Sequence, residues 1–116
     1  MEVPGKQRII QEFVPGKQVT LAHIIANPDE TMYAKIGLTA QSRGAVGVLT
    51  LTPGESAIIA ADIASKASGV ELGFVDRFSG SLLLVGDLAD VEAAVTDVVE
   101  SLESILAFTP APITRT

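Results

Sequence analysis

The eleven residues from Ala45 to Glu55 constrain this chain more than any other stretch. Ala45 to Thr52 carries Val46 and Val48 on one face and Leu49 and Leu51 on the other, as a strand covered on both sides requires. It runs directly into Thr52-Pro53-Gly54-Glu55. Read as a capping box, this places Thr52 as the cap, Pro53 as the first helical residue and Glu55 as the reciprocal partner, which predicts a helix to Ser68 stopped by Gly69. Ala57, Ala60, Ala61, Ala64 and Ala67 would let that helix approach a sheet closely.

Similar signals flank this unit. Lys17 to Ile25, with Val19, Leu21, Ile24 and Ile25, reads as a strand ended by Asn27-Pro28. A short helix follows, capped by Asn27, with Pro28 in its first turn, Glu30 three residues past the cap, Met32, Tyr33 and Ile36 along it and Gly37 as its left-handed stop. Thr39 to Gly44 is polar and loop-like. Val70 to Arg77 and Ser81 to Gly86 form a predicted hairpin around Phe78-Ser79-Gly80. Asp87 then caps a last helix, whose apolar stripe (Leu88, Val91, Val95, Val98, Leu102, Ile105) opposes an acidic face (Asp90, Glu92, Asp97, Glu100, Glu103). Pro110 and Pro112 keep the tail out of a helix, leaving Ile113 to Thr116 extended or mobile.

Near the start, Val3-Pro4-Gly5-Lys6-Gln7 recurs as Val14-Pro15-Gly16-Lys17-Gln18. Each Pro-Gly pair suits a type II turn, and the segment between them, Gln7 to Phe13, reads as a short strand. Two readings stand: a duplicated mobile tail, or an extended segment used in assembly. Leaving that segment aside, the elements run strand, helix, strand, helix, strand, strand, helix. This is an α+β arrangement, a ferredoxin-like βαββαβ unit with its final strand moved to the front, predicting an antiparallel sheet with helices packed on it.

At 116 residues the chain makes one domain with little area for a deep cleft. Its 47% hydrophobic and 19% charged content, with mean hydropathy +0.42, leaves apolar surface to meet other subunits. The absence of Cys rules out disulfides, thiolate metal sites and Cys nucleophiles. A net charge of −6 disfavours nucleic acid and anionic membrane surfaces as partners. No secretory layout and no run long enough to span a bilayer is evident, so we expect a cytosolic protein.

The search for a catalytic constellation fails. His23, the one histidine, lies in an apolar strand, where a hydrogen-bonded structural role outweighs a metal or base role. Ser79 sits in a hairpin turn and not at a nucleophile elbow. Neither a GxxxxGK[ST] nor a GxGxxG loop occurs. Asp76-Arg77 is the one charged cluster whose position suggests more than solubility; the plainer reading is a local ion pair beside a turn. No catalytic residue, metal or cofactor is assigned.

Arg8 to His23, Gly47 to Glu55 and Gly73 to Gly80 carry a resemblance that extends to the ending Ile113-Thr114-Arg115-Thr116. Together they resemble circularly permuted single-BMC-domain shell proteins of bacterial microcompartments, of the ethanolamine-, propanediol- and choline-utilising types. The resemblance implies a non-enzymatic hexameric tile meeting other shell proteins edge to edge in the cytoplasm. It implies that Phe78, Ser79 and Gly80 line a central pore. It further implies that Arg8, Ile9, Ile10, Gln11, Glu12, Phe13 and Val14 form a six-stranded barrel over one mouth. Such closure makes physical sense, since an isolated strand with apolar residues on both faces is an aggregation hazard until its edges are paired.

On this reading residues 1–16 are an N-terminal extension holding the barrel strand at 7–14, residues 17–108 the permuted domain and residues 109–116 an extended tail. Lys66 matches the lysine at hexamer edges, against the plainer reading of a solvated lysine suited to a helix end. Two departures stand out. Ala26-Asn27-Pro28 occupies the place where many unpermuted shell proteins carry an arginine, and the first Val-Pro-Gly-Lys-Gln copy precedes the usual start. The main rival is a small trimeric ligand-binding regulatory module of ferredoxin-like fold, which needs a convergent polar pocket. A small hydrolase of the same fold is the third.

Overall fold

Strands β1 (Gln18–Ile25) and β2 (Ala45–Thr52) pair antiparallel, and around them grows a five-stranded sheet of order β3-β4-β2-β1-β5. The computed structural model describes residues 16–37, 44–67 and 69–116. The expected barrel strand at Arg8 to Val14, most of the expected Thr39–Gly44 loop and the expected helix end at Ser68 lie outside them. β4 (Ser81–Gly86) pairs antiparallel with β2 and with β3 (Glu71–Asp76), which gives the expected hairpin. Three helices complete the order: α1 (Glu30–Lys35) between β1 and β2, α2 (Ser56–Ala67) between β2 and β3, and α3 (Leu88–Leu106) after β4.

One expectation about the sheet is corrected. β5 (Ile113–Arg115) joins β1 in parallel, pairing Ala22 with Ile113 and Ile24 with Arg115, so the sheet is mixed. The tail is therefore a strand rather than mobile. Hydrogen bonds from Thr116 N–H to the Ile24 carbonyl and from Ala26 N–H to the Thr116 carbonyl, both 2.9 Å, extend the ladder to the last residue. On an edge, Pro112 sits outside the three-residue run and costs no ladder bond.

Two helix starts also move. Thr52 remains in β2, opposite Gln18, and α2 begins at Ser56. Pro53 to Glu55 form a turn whose carbonyls accept the N–H groups of Ser56, Ala57 and Ile58 at 2.9 to 3.1 Å, so the strand ladder keeps Thr52 from capping. The cap of α1 is Asp29, not Asn27, because the Asp29 carboxylate accepts both the N–H and the hydroxyl of Thr31 at 3.0 and 2.9 Å. Those bonds hold its carboxyl below the usual aspartate value, the backbone N–H of Thr31 contributing most.

Burial follows the strand alternation. Val19, Ala22, Ile24, Leu49, Leu51, Leu82 and Leu84 meet the alanines of α2 and the stripe Val91, Val95, Val98 and Leu102 of α3. On the opposite face Tyr33, Val46, Leu83 and Val85 make a smaller cluster under α1. Close approach of α3 depends on Gly47, where an added Cβ would come 2.9 Å from Val95 Cγ2. At its ends the predicted stripe emerges from the core, Leu88 being 41% and Ile105 74% exposed. Asp87 precedes α3 as expected, yet its side chain makes no capping hydrogen bond.

Candidate functional site

The β3–β4 turn is built by one aspartate and one glycine. Asp76 Oδ1 accepts the backbone N–H groups of Phe78 at 2.9 Å and Ser79 at 3.3 Å, while Oδ2 lies 2.9 Å from the Ser79 hydroxyl. These bonds, led by the Phe78 N–H, hold the Asp76 carboxyl below its ordinary value. Gly80 closes the turn at φ +79°, a left-handed conformation, and its Cα faces the Leu51 carbonyl so closely that a Cβ would sit 2.1 Å from the oxygen. Its own carbonyl accepts the Leu51 N–H at 2.9 Å, fastening the turn to the end of β2.

This frame presents Phe78 to solvent, 84% exposed. The Arg77 guanidinium carbon lies over its ring, 5.0 Å from the centroid, within cation–π range. Asp76 is turned toward the turn's own N–H groups, so the expected Asp76–Arg77 ion pair does not form. Beside the turn lies an open cavity of about 460 Å³ lined by Ile58, Ala61, Val75, Asp76, Arg77 and Phe78.

The apolar surface continues past the cavity. Leu72, Phe74 and Val75 on edge strand β3 and Ile58 and Ile59 on α2 are between 38% and 52% exposed. Among the described residues β3 is an edge strand of the sheet, and five such side chains on it and on the neighbouring helix are more than scattered surface apolars. The sequence holds a signal for it: adjacent Ile58 and Ile59 cannot both point at the sheet from a helix whose alanines already do so.

The other named residues lie elsewhere. Lys66, in the last turn of α2, is exposed and ion-paired with Asp62 at 2.9 Å. It follows Ile58 by about 12 Å along the helix axis, so it and the Phe78 turn lie toward opposite ends of α2. His23 projects at the β1–β5 edge, its Nδ1 2.6 Å from the Thr114 hydroxyl and its Nε2 2.8 Å from that of Thr116. Both ring nitrogens are thus engaged in tying down the tail. Three strand spacings, about 14 Å, separate β1 from β3, which keeps His23 from acting on Ser79 within one chain. Among the described residues no group of three or more His, Cys, Asp or Glu is placed to hold a metal ion, and no helix is long and apolar enough to cross a membrane.

Residues 45–114 match the BMC domain family. The chain is 51% identical over 113 residues to the bacterial microcompartment shell protein PduU of Salmonella typhimurium, covering 97% of each chain. It is 53% identical over 110 residues to the shell protein EutS of Escherichia coli, covering 95% of this chain and 97% of that one. Among solved structures, a CutR flat hexamer superposes with a TM-score of 0.84 at 48% identity, over 89% of this chain and 94% of that one.

Proposed function

This chain belongs to the BMC-domain family of bacterial microcompartment shell proteins, and we propose that it works as a hexameric tile whose β3–β4 turns ring a central pore. One observation carries the reading: a turn fixed by Asp76 and Gly80 holds Phe78 84% exposed next to an apolar strand edge. Water is a poor environment for such a surface, and a neighbouring copy is a good one. The likeness to a CutR flat hexamer supports six as the number of copies.

The domain is circularly permuted on this reading. Its family match starts at β2, yet β1 lies ahead of the match and inside the sheet, between β2 and β5. Residues 17–108 are then the permuted domain and residues 109–116 its tail, with residues 1–16 as an extension. In the pore, Phe78, Ser79 and Gly80 line the axis, while Arg8 to Val14 form a parallel barrel over one mouth that limits metabolite passage. At the rim, Lys66 meets its counterpart in an adjoining hexamer and thereby joins other shell proteins in the cytoplasm. The role is structural and not catalytic, in keeping with the shell-protein relatives.

Electron microscopy of the concentrated protein tests the tile: sixfold discs and sheets or tubes built from them are expected, and a field of particles without sixfold symmetry overturns it. For the barrel, removal of the residues before Val14 should leave hexamers whose axial channel is open; a channel still plugged would refute it.

A further inference from the structure

We propose that Thr116 is a self-acylating site, its hydroxyl made nucleophilic by His23 and taking an acyl group from small activated esters or thioesters. Three side chains on two neighbouring strands carry the inference. Thr114 Oγ1 lies 3.3 Å from the Ala22 carbonyl and donates its one proton there, so it accepts from the ring at Nδ1, 2.6 Å away. Assigned from this network, the ring proton of a neutral His23 sits on Nδ1 and the lone pair on Nε2. Nε2 lies 2.8 Å from Thr116 Oγ1 and accepts its proton. A hydroxyl bonded to a base that a third group holds in place is the arrangement of an activated nucleophile.

The backbone beneath these groups is fixed. Thr116 N–H donates to the Ile24 carbonyl and the Thr116 carbonyl accepts the Ala26 N–H, both at 2.9 Å, while Thr114 pairs with His23 across the β1–β5 ladder. Nucleophile and base are therefore held in register before any acyl donor arrives. Thr114 and Thr116 are exposed and His23 is half-buried, so a donor reaches Oγ1 from solvent. In the reaction Oγ1 attacks the carbonyl carbon as its proton passes to Nε2. The bond from that carbon to the leaving group then breaks, and the leaving group departs with the electron pair and takes the proton from the imidazolium. Nothing is oxidised or reduced. The exposed setting favours small donors whose leaving group departs readily. The ester formed on Thr116 no longer donates to Nε2, which removes one of the two ties that His23 makes to the tail. Each chain takes one acyl group, and the structural role stands beside this modification unchanged.

Incubation of the full-length protein with p-nitrophenyl acetate at neutral pH, with the acetyl group located by peptide mass spectrometry, tests the site. One hydroxylamine-labile acetyl group on Thr116 is expected, formed roughly tenfold or more faster than on any other hydroxyl. Lysine amides survive hydroxylamine and are counted apart. The amide of His23→Gln can still bond both hydroxyls but takes up no proton, so this variant should slow the Thr116 ester by about a hundredfold while hydrogen exchange at Thr116 shows the tail still docked. Thr116→Ser should keep the label at that position and Thr116→Val should lose it. Acetylation confined to lysines, esters spread evenly over the hydroxyls, or a Thr116 ester that forms as fast in His23→Gln overturns the proposal. Should His23→Gln undock the tail, the map of the unaltered chain decides, since only an activated Thr116 is labelled ahead of the other hydroxyls.

Discussion

Asp76 Oδ1 and the backbone N–H of Phe78 lie 2.9 Å apart, and this contact aims the exposed aromatic ring of the turn. The bond favours the ionised carboxylate, so the carboxyl titrates below its ordinary 3.8. A lowered folded-state value means that the stabilisation is complete above the unfolded-chain value and is lost as pH falls through the folded one. The Phe78 amide resonance should therefore titrate with a midpoint under 3.8. Asp76→Ala should abolish that titration and speed hydrogen exchange at Phe78 and Ser79.

Gly80→Ala should be far more damaging than an ordinary turn substitution. The residue has φ +79°, and the new methyl would meet the Leu51 carbonyl at 2.1 Å. Left-handed strain alone costs about 1–2 kcal/mol, and relieving the clash breaks the bond from Leu51 to Gly80. We expect a loss of roughly 3 kcal/mol or more in thermal unfolding, against a small change for Ser79→Ala.

His23→Ala should loosen the tail selectively. Its ring nitrogens reach the hydroxyls of Thr114 and Thr116, and a further tie runs from Arg115 to Glu92 at 3.1 Å. Global stability should fall by about 1 kcal/mol, while carboxypeptidase removes the last residues markedly faster than in the parent protein.

Lys66→Ala separates tiling from folding. Its ion pair with Asp62 is exposed on both sides and contributes roughly 0.3–0.5 kcal/mol at most, so the melting temperature should hardly move. Sheets or tubes should disappear under the microscope while single hexamers persist. Loss of the hexamer itself would contradict the rim role.

Much of this fold is legible in the chain because local signals and burial agree. The β3–β4 hairpin, the heptad-like stripe of α3 and the stop at Gly37, which takes φ +83°, each follow from residue types at fixed spacing. What escapes local reading is pairing at long range. Ile113 to Arg115 is too short for a periodic signal, and its place in the sheet comes from β1, some ninety residues away. Thr52 looks like a helix cap until its pairing with Gln18 keeps it in the strand.

The candidate site divides in the same way. Phe78-Ser79-Gly80 reads as a turn from its composition, but Asp76 reads equally well as the partner of Arg77. Only the folded turn, with N–H groups converging on the carboxylate, shows where that charge goes. Likewise, the exposure of Leu72, Phe74 and Val75 depends on β3 ending up at the sheet edge, which strand order decides and alternation alone does not.

Native mass spectrometry of the intact chain at micromolar concentration tests the central claim most directly. A dominant species of six times the 12.0 kDa chain mass is the predicted result. A single chain or a discrete trimer would contradict it.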